Sequence, residues 1–306
     1  MTEANRGGEQ RCGFVALIGA PNSGKSTLIN ALVGAKIAIV THKAQTTRGP
    51  VLGIALEGAS QIILVDTPGI FQPKRRLDRA MSGAAWTRAA DADLVALVMD
   101  AERGLDSALD PVFGNLSEIK RPIVAVLNKI DLVARPELLR LTAELSQRNA
   151  FARTFMISAL TGDGVPDLRT YLAGAVSEGP WLYPEDQLTD APLRQAAAEI
   201  TREKLFLRLH DELPYSLTVE TADWKELADS SARIEQTIYV MRESQKKIVL
   251  GAKGATIKEI SMAARKEIGE MIGAPVHLFL FVKVRERWGE DPERYREMGL
   301  DYPKDG

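Results

Sequence analysis

Three short segments carry residue types that bind and cleave phosphate anhydrides. The first, Gly19-Ala-Pro-Asn-Ser-Gly24-Lys25-Ser26, fits GxxxxGK(S/T). Backbone N–H groups of such a loop cradle phosphates, Lys25 neutralises the outer ones, and the Ser26 hydroxyl ligates Mg²⁺. Gly19, Asn22, Ser23, Gly24 and Thr27 complete the expected cradle. The second segment, Asp66-Thr67-Pro68-Gly69, offers a carboxylate that holds the metal, usually through water, and a Gly69 N–H for a terminal phosphate. Between them, in a polar stretch of little periodicity, lies Thr46-Thr47-Arg48. A threonine there can close over the metal and the γ-phosphate as an order–disorder switch. The expected metal set is Ser26, Thr47 and Asp66, and the expected catalytic groups are Lys25, Thr47 and Gly69.

The third segment, Asn128-Lys129-Ile130-Asp131, chooses the base. The Asp131 carboxylate can accept hydrogen bonds from both N1–H and the exocyclic amine of guanine. Adenine offers neither donor in that arrangement, and sites of this type reject the wrong ligand by as much as ~10⁴–10⁵. Lys129 can lie along the base plane, and Asn128 can tie neighbouring loops together. Ser158-Ala159-Leu160 places backbone N–H groups toward guanine O6. This set selects GTP over ATP and argues against a metabolic P-loop kinase. Ile70 follows Gly69 where Ras-like enzymes carry a water-orienting glutamine, and an isoleucine cannot polarise water. Slow intrinsic turnover is expected.

A different chemistry sits near the other end. Residues 244–258 hold four lysines and no acid, whereas residues 181–306 as a whole hold 19 Lys plus Arg against 23 Asp plus Glu. Gly251-Ala252-Lys253-Gly254 lies between an apolar run and a helix, so the backbone can approach a polynucleotide closely. The positive end of that helix points the same way. This resembles the GXXG loop of a KH domain, which would clamp about four single-stranded nucleotides. The expected RNA contacts are Lys246, Lys247, Gly251, Ala252, Lys253, Gly254, Thr256 and Lys258. Tyr239, Phe279 and Phe281 alternate along strands and are expected in the core rather than as base-stacking platforms. His42, His210 and His277 show no ligand spacing. The basic cluster 73–76 suits a partner, a phosphate backbone or a membrane surface, or is simply a charged loop.

The elements that must position these residues are legible as apolar runs. Nearly continuous hydrophobic segments at 14–18, 61–65, 94–99, 122–127 and 154–157 read as strands buried on both faces. They alternate with helical stretches at 26–33, 136–149 and 165–176. That rhythm predicts a doubly wound α/β domain with its chemistry in the loops after the strands. Two prolines and several polar residues break the pattern at 178–190. The predicted organisation is a polar extension 1–12, a nucleotide domain 13–177, a linker 178–192 and an α+β type II KH domain 193–306. Its expected order is helix, strand, strand, helix, helix, strand: a helix 193–213 stopped by Pro214, strands 216–220 and 234–242, two helices of which the second spans 255–272, and a strand 276–284.

In this order, the motifs make residues 13–175 resemble a translation-factor-class GTPase. The whole chain resembles the Era family of bacterial GTPases. Gln45-Thr-Thr-Arg48, Phe71-Gln-Pro-Lys-Arg-Arg76 and residues 248–258 strengthen the match. The resemblance implies GTP hydrolysis, Mg²⁺, assembly of the small ribosomal subunit, and a KH domain gripping the single-stranded 3′ end of small-subunit ribosomal RNA. It also implies a cytoplasmic protein peripherally associated with the inner membrane. Asn22 either shapes the turn or, as in related GTPases, helps hold a potassium ion. An RNA scaffold holding GTP with little turnover and a tRNA-directed GTPase are the alternatives.

Composition sets the outer limits. Among 306 residues, 45% are apolar and 26% charged, with a net charge of −2. A chain so near neutrality binds nucleic acid through a local patch rather than bulk charge. The single cysteine, Cys12, excludes an internal disulfide framework and fits a reducing compartment. The first residues lack the apolar core of a signal peptide, and no apolar run approaches the ~20 residues of a membrane span.

Overall fold

A computed structural model describes residues 9–41, 43, 47, 51–69, 76–106, 109–286, 288–297 and 300–303. Gln45, Thr46, Arg48, His42, Ile70 and the basic residues 74 and 75 lie outside them. The described chain divides into two compact units, the first made of the residues up to Asp190 together with those after Glu297, and the second spanning Ala191–Glu297.

The first unit is a six-stranded sheet in the order β2-β3-β1-β4-β5-β6. Its strands are β1 (Arg11–Ile18), β2 (Val51–Glu57), β3 (Ser60–Asp66), β4 (Leu94–Asp100), β5 (Ile123–Asn128) and β6 (Arg153–Met156). All neighbours run parallel except β2, which is antiparallel to β3. The helices are α1 (Lys25–Val33), α2 (Arg76–Asp91), α3 (Asp110–Leu116), α4 (Arg135–Arg148) and α5 (Val165–Ala175). Successive strand residues feed opposite cores. Val15 and Leu17 pack with Leu28, Ile29 and Leu32 of α1 and Leu168 and Leu172 of α5. Ala16 and Ile18 pack with α2, α3 and α4. Each fully buried Val, Leu or Ile contributes about 1.5–3 kcal/mol, so both helical layers are held by the same strands. The continuous apolar runs follow from this two-sided burial. The parallel strands end at one edge, where every predicted nucleotide segment begins.

Residues 178–190 are bound to this unit. The fully buried Gln61 side chain donates to the Tyr183 carbonyl at 2.8 Å and accepts from the Leu182 and Tyr183 amides at 2.9 and 3.1 Å. The Ile54 amide donates to the Leu188 carbonyl at 2.9 Å. The expected linker is therefore ordered along β2 and β3 for most of its length.

The second unit contains α6 (Leu193–Arg208), β7 (Leu217–Glu226), β8 (Ala232–Val240), α7 (Glu243–Leu250), α8 (Ala255–Ile272) and β9 (Val276–Val284), followed by the short α9 (Pro292–Glu297). Its sheet order is β7-β8-β9, with β7 antiparallel and β9 parallel to β8. Helix α6 stops five residues before the expected end at 213, because the backbone turns extended at Leu209 (ψ 156°). Phe279 and Phe281 depart from expectation more consequentially. They are 44% and 47% exposed, while Leu278, Leu280 and Val282 of the same strand pack inward. Helices α6, α7 and α8 pack on the face that carries Leu278, Leu280 and Val282.

Candidate functional site

The phosphate loop is set by backbone conformation first. Gly24 begins α1 with φ 94°, and a Cβ there would lie 2.1 Å from Asn128 Nδ2, so this position admits only glycine. Asn22 has φ 65°, a left-handed value that asparagine tolerates better than most residues. Gly69 approaches the loop closely, with a Cβ position 2.9 Å from Pro21 Cα. The end of β3 and the phosphate loop are thus in contact.

Inside the loop, the buried Lys25 ammonium donates to the carbonyls of Gly19 and Ala20 at 3.0 and 2.9 Å. Burial pulls its pKa from 10.5 down to about 8, opposed by the nearby Asp66 charge. The Asp66 carboxyl is pushed up by burial, against the pull of Lys25 and of hydrogen bonds from Thr47 and Ser26. Ser26 Oγ and Thr47 Oγ1 both donate to Asp66 Oδ2 at 2.9 Å and stand 3.1 Å from each other. Asp66 Oδ1 is buried with no hydrogen-bond partner, as is Ser23 Oγ. A carboxylate with one orphaned oxygen and two hydroxyls gathered on the other suits a hard cation such as Mg²⁺, which takes few protein ligands and completes its shell with phosphate and water. Thr67 turns the other way: its hydroxyl donates to the Leu17 carbonyl at 2.6 Å inside the sheet. It fixes β3 against β1 and leaves ligand contact to its neighbours. Thr27 lies in the first turn of α1, and Pro68 is buried.

The base-reading segments meet the same loop through one side chain. Asn128 is 2% exposed; its Nδ2 donates to the Ser23 carbonyl and its Oδ1 accepts from the Ala159 amide, each at 2.9 Å. The Ala159 N–H is therefore committed to this strap. The exposed Leu160 follows it. Ser158 is fully buried, and its hydroxyl accepts from the Thr161 amide at 3.1 Å. Lys129 takes a left-handed φ of 66°, after which the Ile130 amide donates to the Ile157 carbonyl at 3.2 Å. Asp131 is exposed on the ensuing turn.

In the second unit, α7 ends at Gly251 (φ 72°) and α8 starts after Gly254 (φ 78°), with Lys253 between them at φ 50°. Ala252, Lys253, Lys247 and Lys258 are exposed, while Lys246 and Thr256 are partly buried. A Cβ on Gly251 would collide with Thr256 Oγ1 at 2.2 Å, but one on Gly254 meets nothing nearer than 4.0 Å.

Comparison with known proteins agrees with both units. Residues 14–129 match the family described as 50S ribosome-binding GTPase, and residues 212–289 match the KH domain. GTPase Era of Afipia carboxidovorans is 64% identical over 295 residues, covering 96% of either chain. GTPase Era of Rhizobium meliloti is 63% identical over 294 residues, 96% of this chain and 94% of the relative. The chain belongs to the Era family of GTPases. Two solved Era structures superpose with a TM-score of 0.90 at 37% identity, over 95% of this chain and 99% of theirs. One is an Aquifex aeolicus Era variant bound to GDP·AlF4⁻. The other is Era with MgGDPNP and nucleotides 1506–1542 of 16S ribosomal RNA.

One residue of this Era-family site escaped the sequence reading. Asp100 ends β4 directly opposite Asn128 in the parallel register. Its Oδ2 accepts from Lys129 Nζ at 2.5 Å, its Oδ1 accepts from the Glu102 amide at 3.1 Å, and Arg103 stands 3.8 Å away. The signal was an acidic residue closing the strand that pairs with the base-reading strand. Asp100→Asn should leave Lys129 free to swing off the base plane and weaken GTP binding about tenfold, the scale of a charged hydrogen bond. Turnover at saturating GTP should hold, so titration and steady-state kinetics should show KM rising with kcat retained.

Proposed function

We propose that this chain is a GTP-driven RNA-binding switch that holds the single-stranded 3′ end of small-subunit ribosomal RNA and acts in assembly of the small ribosomal subunit. The reading is carried by the convergence of Ser26 and Thr47 on a half-satisfied Asp66, beside Lys25 and a base loop strapped on by Asn128. Ser26, Thr47 and Asp66 would hold Mg²⁺, which when bound neutralises charge on the β- and γ-phosphates. Lys25 and the Gly69 N–H position the terminal phosphate. Asp131, Lys129 and the Leu160 amide read guanine. With isoleucine at position 70, attack by water relies on Thr47 and Gly69 for positioning, and Asn22 is the candidate holder of a potassium ion that adds positive charge. Potassium replaced by sodium should then slow hydrolysis.

GTP orders the segment around Thr47, and this licenses RNA capture by the Gly251–Gly254 loop; hydrolysis reverses it. The Era structure that contains both a GTP analogue and 16S RNA supports this coupling. Equal RNA affinity with GDP, with a non-hydrolysable GTP analogue and without nucleotide would refute it. Crosslinking in cells with sequencing of the attached RNA tests the ribosomal assignment. No helix among the described residues is long and apolar enough to cross a membrane, so inner-membrane association belongs to this proposal as a peripheral contact, tested by flotation with anionic vesicles.

Gly254→Asp separates the two activities. Gly254 has room for a side chain, and aspartate is among the residues that best accept left-handed φ, so the fold should persist. A carboxylate against an RNA backbone should lower RNA affinity at least tenfold by filter binding, with RNA-free GTP hydrolysis retained.

A further inference from the structure

We infer that strand β9, on its face turned away from α6, α7 and α8, is a second single-stranded RNA contact, a stacking platform built on Phe279 and Phe281. This rests on the reading that the Gly251–Gly254 loop holds RNA, and extends the RNA path beyond it. Two half-exposed phenylalanines at alternate positions of one strand stand on the same face, about 6.8 Å apart along it. Each can offer a ring to one base. The Arg233 guanidinium lies 4.9 Å from the centre of the Phe279 ring, and the exposed Lys283 follows Phe281 on that face. Aromatic rings flanked by cations form the usual contact for unpaired bases, because every base has a π-face.

The same residues disfavour other occupants. Arg233 is paired with Glu235 at 2.5 Å and lies 3.9 Å from Asp223, and carboxylates beside the rings oppose insertion into a bilayer. Two half-exposed rings enclosed by charges fall far short of the ~800 Å² that each partner of a stable protein interface buries. A polynucleotide needs only the rings and a route for its phosphates. Strand β9 supplies that route as an edge of its sheet. Val249 of α7 shares a core with Leu280 and Val282, so the helix leading to Gly251 packs on the inner side of β9. RNA leaving the loop and crossing this edge reaches Phe281, with its backbone past Lys283 and away from Glu235.

The test compares two lengths of unstructured RNA from the 3′ segment of 16S ribosomal RNA, about 6 and about 14 nucleotides, within the range of known single-strand sites. Phe279→Ala/Phe281→Ala should weaken the longer RNA at least tenfold and leave the shorter one unchanged. Phe279→Trp/Phe281→Trp should restore the longer. Unchanged length dependence in the alanine variant overturns the platform. So does loss of vesicle binding or of self-association with RNA affinity intact. Gly254→Asp serves as the separate control: if it leaves both lengths bound as tightly as before, RNA capture by the loop fails instead.

Discussion

Asp131→Asn is expected to weaken GTP binding about a thousandfold and to turn the preference toward xanthosine triphosphate. Guanine presents two donors on one edge, N1–H and the exocyclic amine. A carboxylate accepts both, whereas an amide accepts one and sets its own NH₂ against the other. Xanthine carries an oxygen where guanine has the amine, so the amide meets it correctly. Sites built on such pairing discriminate by up to ~10⁴–10⁵; the exposure of Asp131 lets water relieve part of the mismatch, which brings the expected loss to about 10³. Because the side chain is exposed, folding stability should change by no more than ~0.5 kcal/mol. Competition among GTP, xanthosine triphosphate and ATP measures the outcome. Unchanged guanine preference would remove Asp131 from base reading.

The phosphate loop and the base-reading segment were legible because their chemistry is local. A glycine at a left-handed position, a lysine and a hydroxyl in sequence define a cradle without reference to anything distant, and the strand before each motif is marked by an unbroken apolar run. Asp100 was not legible for the opposite reason. It acts through its neighbour in the sheet, and only the β4–β5 register places it beside Lys129. Strand β2 was missed similarly: Gly53 interrupts its apolar run, although the glycine is there to admit Ile29, Val33 and Ile37.

Phe279 and Phe281 show where periodicity fails outright. Residues 278–282 read Leu-Phe-Leu-Phe-Val, apolar on both sides of the pleat, so alternation cannot tell a strand covered twice from one covered once. In the first unit such runs are covered by helices on both faces. In the second, α6, α7 and α8 cover one face of β9, and the other series of its side chains meets water. Segment 178–190 was ambiguous in a related way. Its prolines and polar residues look like a linker, yet its backbone satisfies the amide of Gln61, whose position inside an apolar strand was the available clue.

Lys25→Ala should slow GTP hydrolysis about 10²–10³-fold, the range for removing one preorganised donor from developing charge. The same lysine imposes a pH dependence on binding. In the nucleotide-free protein, burial holds its pKa at about 8, so it is charged at pH 7 and largely neutral at pH 9. A bound triphosphate favours the ammonium and raises that value. Below pH 8 the lysine is charged in both states and affinity is flat. Above it, each binding event must take up a proton, and affinity falls by up to tenfold per pH unit until the bound-state pKa is passed. Guanosine, which lacks phosphates, records any titration of the base itself and is subtracted. Lys25→Arg keeps its charge across this range, so its profile should be flat after that subtraction; Lys25→Ala should be flat also, at lower affinity. A wild-type profile as flat as theirs would mean that the ammonium is not what meets the phosphates.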